Sequence, residues 1–210
     1  KLTPRAVIFV DLFGLLADYP KIEAIAEKYG LRVLEDGAQG FGGAIGKNRV
    51  CSFGDAATTS FFPAKPLGCY GDGGAIFTND ASLDTHLRSL RAQGRSPEDK
   101  YDNRLIGMNS RLDTLQAAIL MTKLEAFEAY ELEAVNRIAG QYTGLLKDRV
   151  VTPLVPEGYY SSWAQYTILL RDGSLRSGLQ AFLKERGIPT MVYYPRGMHQ
   201  QSAIRKLGLD

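Results

Sequence analysis

The 210-residue chain has only two cysteines, Cys51 and Cys69, and two histidines. The cysteines form no CxxC pair, neither has a histidine partner at a recognisable spacing, and no metal-ligand spacing is present. No metal site is expected, a cysteine hydrolase is a poor reading, and the low count fits a reducing cytoplasm. Charge of one sign is also missing: the net charge is +2, without a Lys/Arg cluster, so a nucleic-acid footprint is not expected. No apolar run reaches the length of a membrane helix. Ala6 to Val10 follows Arg5 much as in a signal peptide, but Asp11 and Asp18 interrupt the stretch and no small-residue cleavage site follows. Internal repeats and low-complexity tracts are absent. A dinucleotide fingerprint is missing as well: Gly40-x-Gly42 is followed at the sixth position by Ile45, and no helical pattern comes after it.

What remains is the composition of an ordinary soluble globular protein, 45% hydrophobic, 23% charged and 10% aromatic,. Ala6 to Val10 reads as a short buried strand. Asp18 can cap a helix with Pro20 in its first turn, carried by Ile22, Ile25, Ala26 and Tyr29 and stopped at Gly30. Leu31 to Leu34 is the next strand and ends at Glu35-Asp36. This β-α-β unit implies parallel strands with a right-handed crossover. Further strands are expected within 53–62 and 74–78. A helix capped by Asn79-Asp80 then carries Leu83, Leu87 and Leu90 and closes at Gly94. The long polar loop from Arg95 to Met108 precedes a helix capped by Ser110, whose pattern runs towards Leu146 and has a candidate break at Gly140. After a linker marked by Pro153 and Pro156, a strand (163–170), a helix (174–186) and a strand (188–194) are expected.

One lysine has an unusual setting. Lys65 follows a β-prone run, is bracketed by Pro63 and Pro66, and precedes a loop rich in glycine, so no helix holds it and its backbone is stiffened on both sides. Asp36 offers a carboxylate at a strand end, where open α/β sheets bind ligands. Gln39 offers an amide three residues on, and Ser60 a hydroxyl at a second strand end. A lysine amine can form a Schiff base with an aldehyde cofactor. Pyridoxal 5'-phosphate (PLP) needs such a lysine, together with a carboxylate near its ring nitrogen. Its phosphate needs hydroxyl and N–H donors. The four residues match that requirement.

The longer strings are recognisable. Val33-Leu34-Glu35-Asp36-Gly37-Ala38-Gln39 resembles the aspartate motif of the DegT/StrS-type sugar aminotransferases. Ser60 to Gly68, continued by Gly71-Asp72-Gly73-Gly74-Ala75, resembles their lysine motif. Gly107 to Asp113 with Gln116-Ala117-Ala118 resembles their third block, and Val10 to Gly14 fits the strand before their first helix. The resemblance implies an α/β fold of the aspartate-aminotransferase type (fold type I), with a mixed, mostly parallel sheet in a large domain and a small C-terminal α/β domain. Residues 1–125 would belong to the large PLP-binding domain and 126–210 to the small one. It further implies that Lys65 is the Schiff-base lysine and acid/base, that Asp36 pairs with the pyridine nitrogen, and that Gln39 contacts the ring face or its phenolic oxygen. Ser60 would be a phosphate ligand, and Asn109 would reach the cofactor of the partner subunit in a homodimer. Arg111 and His199 are weaker candidates for the substrate. His86 is read as structural.

Lysine rather than histidine at position 65 favours amino transfer over dehydration in this family. The string from Phe61 to Gly74 resembles enzymes that aminate C3 of a UDP-linked 3-keto-N-acetyl sugar or its uronic acid for O-antigen and surface-polysaccharide synthesis, with glutamate as donor. The alternatives are C4 amination of a 4-keto sugar nucleotide and a non-catalytic relative with a regulatory or assembly role. Arg95 to Met108 and Arg196 are candidates for the sugar or pyrophosphate by charge. Family members carry a phosphate-binding Gly-Thr turn and a ring-stacking aromatic ahead of the first strand. Neither is matched here, so the chain reads as a fragment lacking its N-terminal segment and incomplete at its end. Tyr193-Tyr194-Pro195 replaces the frequent His-Tyr-Pro.

Overall fold

In the computed structural model, residues 3–99 and 101–208 are described. They fall into two compact units, Lys1–Ile168 and Leu169–Asp210. The division expected after residue 125 falls inside a helix of the first unit.

The first unit opens with β1 (Ala6–Val10), α1 (Tyr19–Tyr29) and β2 (Arg32–Asp36). The helix starts where the sequence places it: the Asp18 carboxylate accepts from the Lys21 amide, Pro20 occupies the first turn, and Gly30 ends it at φ +62°,. A hairpin of β3 (Ala44–Ile45) and β4 (Asn48–Arg49) follows, then β5 (Ala56–Ser60) and β6 (Gly74–Phe77). The main sheet has the order β1-β2-β5-β6. Its first three strands are parallel and β6 runs antiparallel to β5. β1, expected to be buried, is an edge strand, with Ile8 63% and Val10 44% exposed. A short strand β7 (Tyr159–Tyr160) pairs with β3.

The helix α2 (Ala81–Arg91) is capped by Asp80, which accepts from the amides of Ser82 and Leu83, and it ends shortly before Gly94. The expected long helix exists as α3 (Thr114–Ala126) and α4 (Leu132–Leu146), joined without a gap by a π turn at Phe127–Glu131. Its irregularity is thus at Phe127–Glu131 and not at Gly140, and its N-cap is Asp113 and not Ser110. Two apolar clusters share Phe41. One joins Phe61, Leu67, Cys69, Leu120 and Phe127; the other joins Leu16, Tyr19, Val50 and Phe53. Tyr19 and Phe53 stack with ring centroids 4.4 Å apart. Each large apolar side chain of this kind contributes roughly 1.5–3 kcal/mol by leaving water. The first cluster fastens the loop after Lys65 to α3.

The second unit holds α5 (Arg176–Glu185), introduced by a 3-10 turn capped by Asp172, and α6 (Ser202–Arg205). Gly187 follows α5 at φ +71°. The strands expected at 163–170 and 188–194 do not form; Leu169 makes only a single bridge. Ser162 and Gln165 give their main-chain N–H groups to the carbonyls of Gly14 and Phe13 instead of to a neighbouring strand.

Candidate active site

Val10 lies opposite Asp36 and Asp36 opposite Thr58, so β1, β2 and β5 finish at one end of the sheet. The chain is stitched there by Asp11 N–H to the Asp36 carbonyl at 3.0 Å and Gly37 N–H to the Thr58 carbonyl at 2.8 Å. Asp36 is half-buried, and its Oδ1 accepts from the Ala38 amide at 3.1 Å, an Asx turn that aims the carboxylate. Gln39 is buried. Its Oε1 accepts from the Phe13 amide at 2.6 Å.

A strap formed by residues 161–165 holds that arrangement from the far side. Ser162 Oγ donates to the Gln39 carbonyl at 2.8 Å and Ser162 N–H to the Gly14 carbonyl at 2.9 Å, while Gln165 N–H reaches the Phe13 carbonyl at 3.3 Å. The approach is close enough that a Cβ on Gly14, whose φ is +102°, would lie 2.7 Å from Ser162 Oγ. Asn136 of α4 fixes the strap by donating to the Ser161 carbonyl at 3.1 Å and accepting from Trp163 Nε1 at 2.8 Å.

Ser60 closes β5, and its Oγ accepts from the Phe62 amide at 3.2 Å. Lys65 N–H donates to the Phe62 carbonyl at 2.9 Å, closing the turn between the two prolines. The Lys65 side chain, half-buried, lines a cleft of about 380 Å³ with Phe127, Tyr130, Glu131, Val135 and Trp163. Among the described residues no carboxylate forms an ion pair with it. The loop beyond it is clamped to α3. Gln116 Oε1 accepts from the Tyr70 amide at 2.8 Å, and Lys123 Nζ donates to the Gly68 carbonyl and lies 5.6 Å from the Tyr70 ring centroid. The sequence pattern assigns Lys123 and Ser162 no role. Their partners are main-chain carbonyls 55 and 123 residues away, which no local pattern discloses.

Asp36, Gln39, Ser60 and Lys65 therefore leave the same end of the sheet. Of the six, only Lys65 lines its cleft: Asp36, Gln39, Ser60, Asn109 and Arg111 do not; Asn109 and Arg111 are exposed, and Asn109 Oδ1 accepts from Arg111 Nε at 3.0 Å. His199 lies exposed in a short turn of the second unit. From the loop 95–108, Ile106 and Met108 line a broader cleft of about 820 Å³, together with Arg88 and Arg91 of α2.

Two buried acids beside Asp36, Asp11 and Glu35, lie within the motif strings but receive no role from them. Asp11 Oδ1 accepts from the Tyr19 hydroxyl at 2.9 Å and the Ala17 amide at 3.1 Å. Glu35 accepts from the Cys51 amide at 2.7 Å and the Phe53 amide at 2.9 Å. Burial pushes Asp11 up to about 7, against the pull of its two donors. Burial also raises Glu35, which its two amide donors partly offset. The Cys51 thiol is pushed up to about 12, first by burial and then by Glu35. The sequence holds only one trace of this, an acid closing each of two apolar strand runs.

Residues 1–209 match the DegT/DnrJ/EryC1/StrS aminotransferase family, and the chain belongs to that family. It is 47% identical over 206 residues to the UDP-2-acetamido-2-deoxy-3-oxo-D-glucuronate aminotransferase of Pseudomonas aeruginosa, a match covering 97% of this chain and 56% of that protein. It is 46% identical over 208 residues to a pleiotropic regulatory protein of Geobacillus stearothermophilus, covering 97% and 54%. To the UDP-N-acetyl-3-dehydro-alpha-D-glucosamine 3-aminotransferase of Acidithiobacillus ferrooxidans it is 43% identical over 203 residues, covering 95% and 53%. The crystal structure of a DegT DnrJ EryC1 StrS aminotransferase from Brucella abortus matches with a TM-score of 0.91 at 51% identity, covering 96% of this chain and 53% of that one. The chain spans about half the length of the curated relatives it matches. Its fold is that of these aminotransferases, the aspartate-aminotransferase type. No helix among the described residues is long and apolar enough to cross a membrane.

Proposed function

We propose, from membership of this family, that the protein is a PLP-dependent aminotransferase. It moves an amino group from glutamate to C3 of a UDP-linked 3-keto-N-acetyl sugar or its uronic acid, in the cytoplasm, for surface-polysaccharide synthesis. The observation that carries the proposal is that Asp36 and Ser60 close two neighbouring strands, and Gln39 and Lys65 follow them, at one end of one sheet. The names of the P. aeruginosa and A. ferrooxidans relatives support a 3-keto UDP sugar as substrate class.

The residues present fit the cofactor by the chemistry of their donors and acceptors. The Asp36 carboxylate, held by the Ala38 amide, would keep the positive charge of the ring nitrogen. Ser60 Oγ already accepts from the Phe62 amide, which leaves its hydroxyl proton to donate to a phosphate oxygen. Gln39, fixed at both its side chain and its carbonyl, would set the ring's face or meet its phenolic oxygen. When bound, PLP supplies a carbonyl open to a primary amine and a ring that draws electrons from the neighbouring bond. Lys65 Nζ would anchor the group covalently and, once released, take up and return the proton that moves during transfer. Asn109, exposed and oriented by Arg111, is proposed to reach the cofactor phosphate of a second copy, making the working enzyme a homodimer. Arg111 and His199 are proposed substrate contacts. Residues 1–125 are proposed to belong to the large PLP-binding domain and 126–210 to the small one.

The test is amine transfer from glutamate, assayed side by side on UDP-linked 3-keto and 4-keto sugars. Turnover of the 3-keto sugar supports the proposal. Turnover of the 4-keto sugar alone replaces it with C4 amination. A second reading, a regulatory protein that keeps the fold, is favoured by the name of the G. stearothermophilus relative. PLP binding without any reaction towards glutamate would bring that reading forward.

A further inference from the structure

We infer that Asp11 carries a proton that it shares with Glu35, and that this neutral acid is the positioning residue on which Asp36 and the Gln39 turn are built. Asp11 and Glu35 are both fully buried. Asp11 follows Val10 of β1 and falls on the same face of the sheet as Phe9 and its β2 partner Glu35, which makes the two carboxyls neighbours across the strands,. Both Glu35 oxygens accept main-chain N–H groups, from Cys51 and Phe53, which is the pattern of an ionised carboxylate. Asp11 Oδ1 is likewise saturated by Tyr19 and Ala17. Asp11 Oδ2 has no donor in reach. Two buried carboxylates facing each other would repel, and a buried oxygen without a partner costs free energy. One proton on Asp11 Oδ2, donated to Glu35, removes both penalties at once. The titratable groups facing the pair are Tyr19 and Glu23 from α1 and Cys51 from the loop after β4. All are acids, so none supplies a counter-charge.

The pair sits where the site is assembled. Asp11 N–H holds the Asp36 carbonyl at 3.0 Å. The turn bearing Gln39 lies on the Asp11 carboxyl so closely that a Cβ on Gly40 would come within 2.8 Å of Oδ2. Glu35 adjoins Asp36 and ties β2 to residues 51–53. A second negative charge at this point would lie uncompensated against the turn that bears Gln39. The positioning role rests on the reading of Asp36 and Gln39 as cofactor residues; the protonation state does not.

The experiment compares wild type, D11N and E35Q by denaturant unfolding without cofactor across a pH series, and by PLP titration over the same series. Asparagine mimics the protonated acid, because its amide N–H₂ donates to Glu35 while its oxygen still accepts from Tyr19 and Ala17. An acid raised in the folded state stabilises fully below its unfolded value and loses that stability as pH rises through the folded value. Wild type is therefore expected to lose stability between pH 3.8 and about 7 relative to D11N, with the midpoint difference widening over that window and then levelling. E35Q is expected to unfold at lower denaturant throughout, since glutamine cannot accept from both Cys51 and Phe53 amides. The ratio of PLP dissociation constants, wild type over D11N, should climb with pH, about tenfold for each pKa unit of coupling. Parallel pH curves, a D11N chain that does not fold, or E35Q milder than D11N would overturn the shared proton. A pH-independent PLP ratio beside diverging unfolding curves would overturn the positioning role alone. If wild type binds no PLP, the reading of the site falls and the positioning role with it, while the unfolding curves still decide the proton.

Discussion

Ser162 Oγ donates to the main-chain carbonyl of Gln39 at 2.8 Å, joining residues 123 apart in sequence. That bond makes the strap 161–165 part of the candidate site. Ser162 is 3% exposed, so S162A leaves a buried carbonyl without its donor and should cost about 1–2 kcal/mol. Denaturant unfolding measures the loss, and a PLP titration of the same variant should show weaker binding. An unchanged midpoint would mean the strap is replaceable.

Lys123 is the corresponding clamp on the other side of Lys65. K123M keeps the apolar stem but loses the donor to the Gly68 carbonyl and the cation above Tyr70. A destabilisation of about 1 kcal/mol is expected. PLP affinity should fall by more than the stability loss alone explains, because the loop that carries Lys65 is released. Comparing PLP affinity in K123M and in an exposed control such as K147M separates the two effects.

Two glycines should respond oppositely to alanine. Gly94 has φ +77° and a Cβ there would collide with the Leu105 carbonyl, so G94A should destabilise strongly, by about 2 kcal/mol or more. Gly140 lies inside α4 with nothing within 4 Å of an added Cβ. G140A should stabilise by roughly 0.5–1 kcal/mol. Thermal unfolding of both variants checks the pair.

Cys51 should be an unreactive thiol despite its partial exposure. Burial and the neighbouring Glu35 push it up to about 12, above the usual thiol value of about 8.5. Alkylation at neutral pH should therefore be slow at Cys51, and its rate should keep rising with pH well beyond the point where a free thiol levels off. Mass spectrometry of timed alkylation reads the two behaviours apart.

The sequence discloses what local rules govern. Asp18, Pro20 and Gly30 bound α1, Asp80 caps α2, and the β1-α1-β2 unit is parallel, all readable from caps and periodicity. Residue type and motif alone single out Asp36, Gln39, Ser60 and Lys65 as candidates, and the four follow strand ends on one side of the sheet. What is not legible depends on distant partners. Residues 163–170 have strand-like composition, but a strand is defined by pairing, and here Ser162 and Gln165 give their N–H groups to the turn at Phe13–Gly14. The helix 114–146 shifts its hydrogen-bond pattern at Phe127, where an aromatic enters the core, and not at Gly140, where nothing presses on the backbone. Spacing does not reveal the buried pair Asp11 and Glu35, because the crossover through α1 brings the two together only in the folded sheet.

Lys65 is proposed as the amine that takes the cofactor. Borohydride reduction of the PLP-loaded protein, followed by peptide mass spectrometry, tests it most directly. The reduced pyridoxyl group is expected on the peptide containing Lys65, with loss of both the label and the visible absorption band in K65A. A label on another lysine, or a band that survives in K65A, would contradict it.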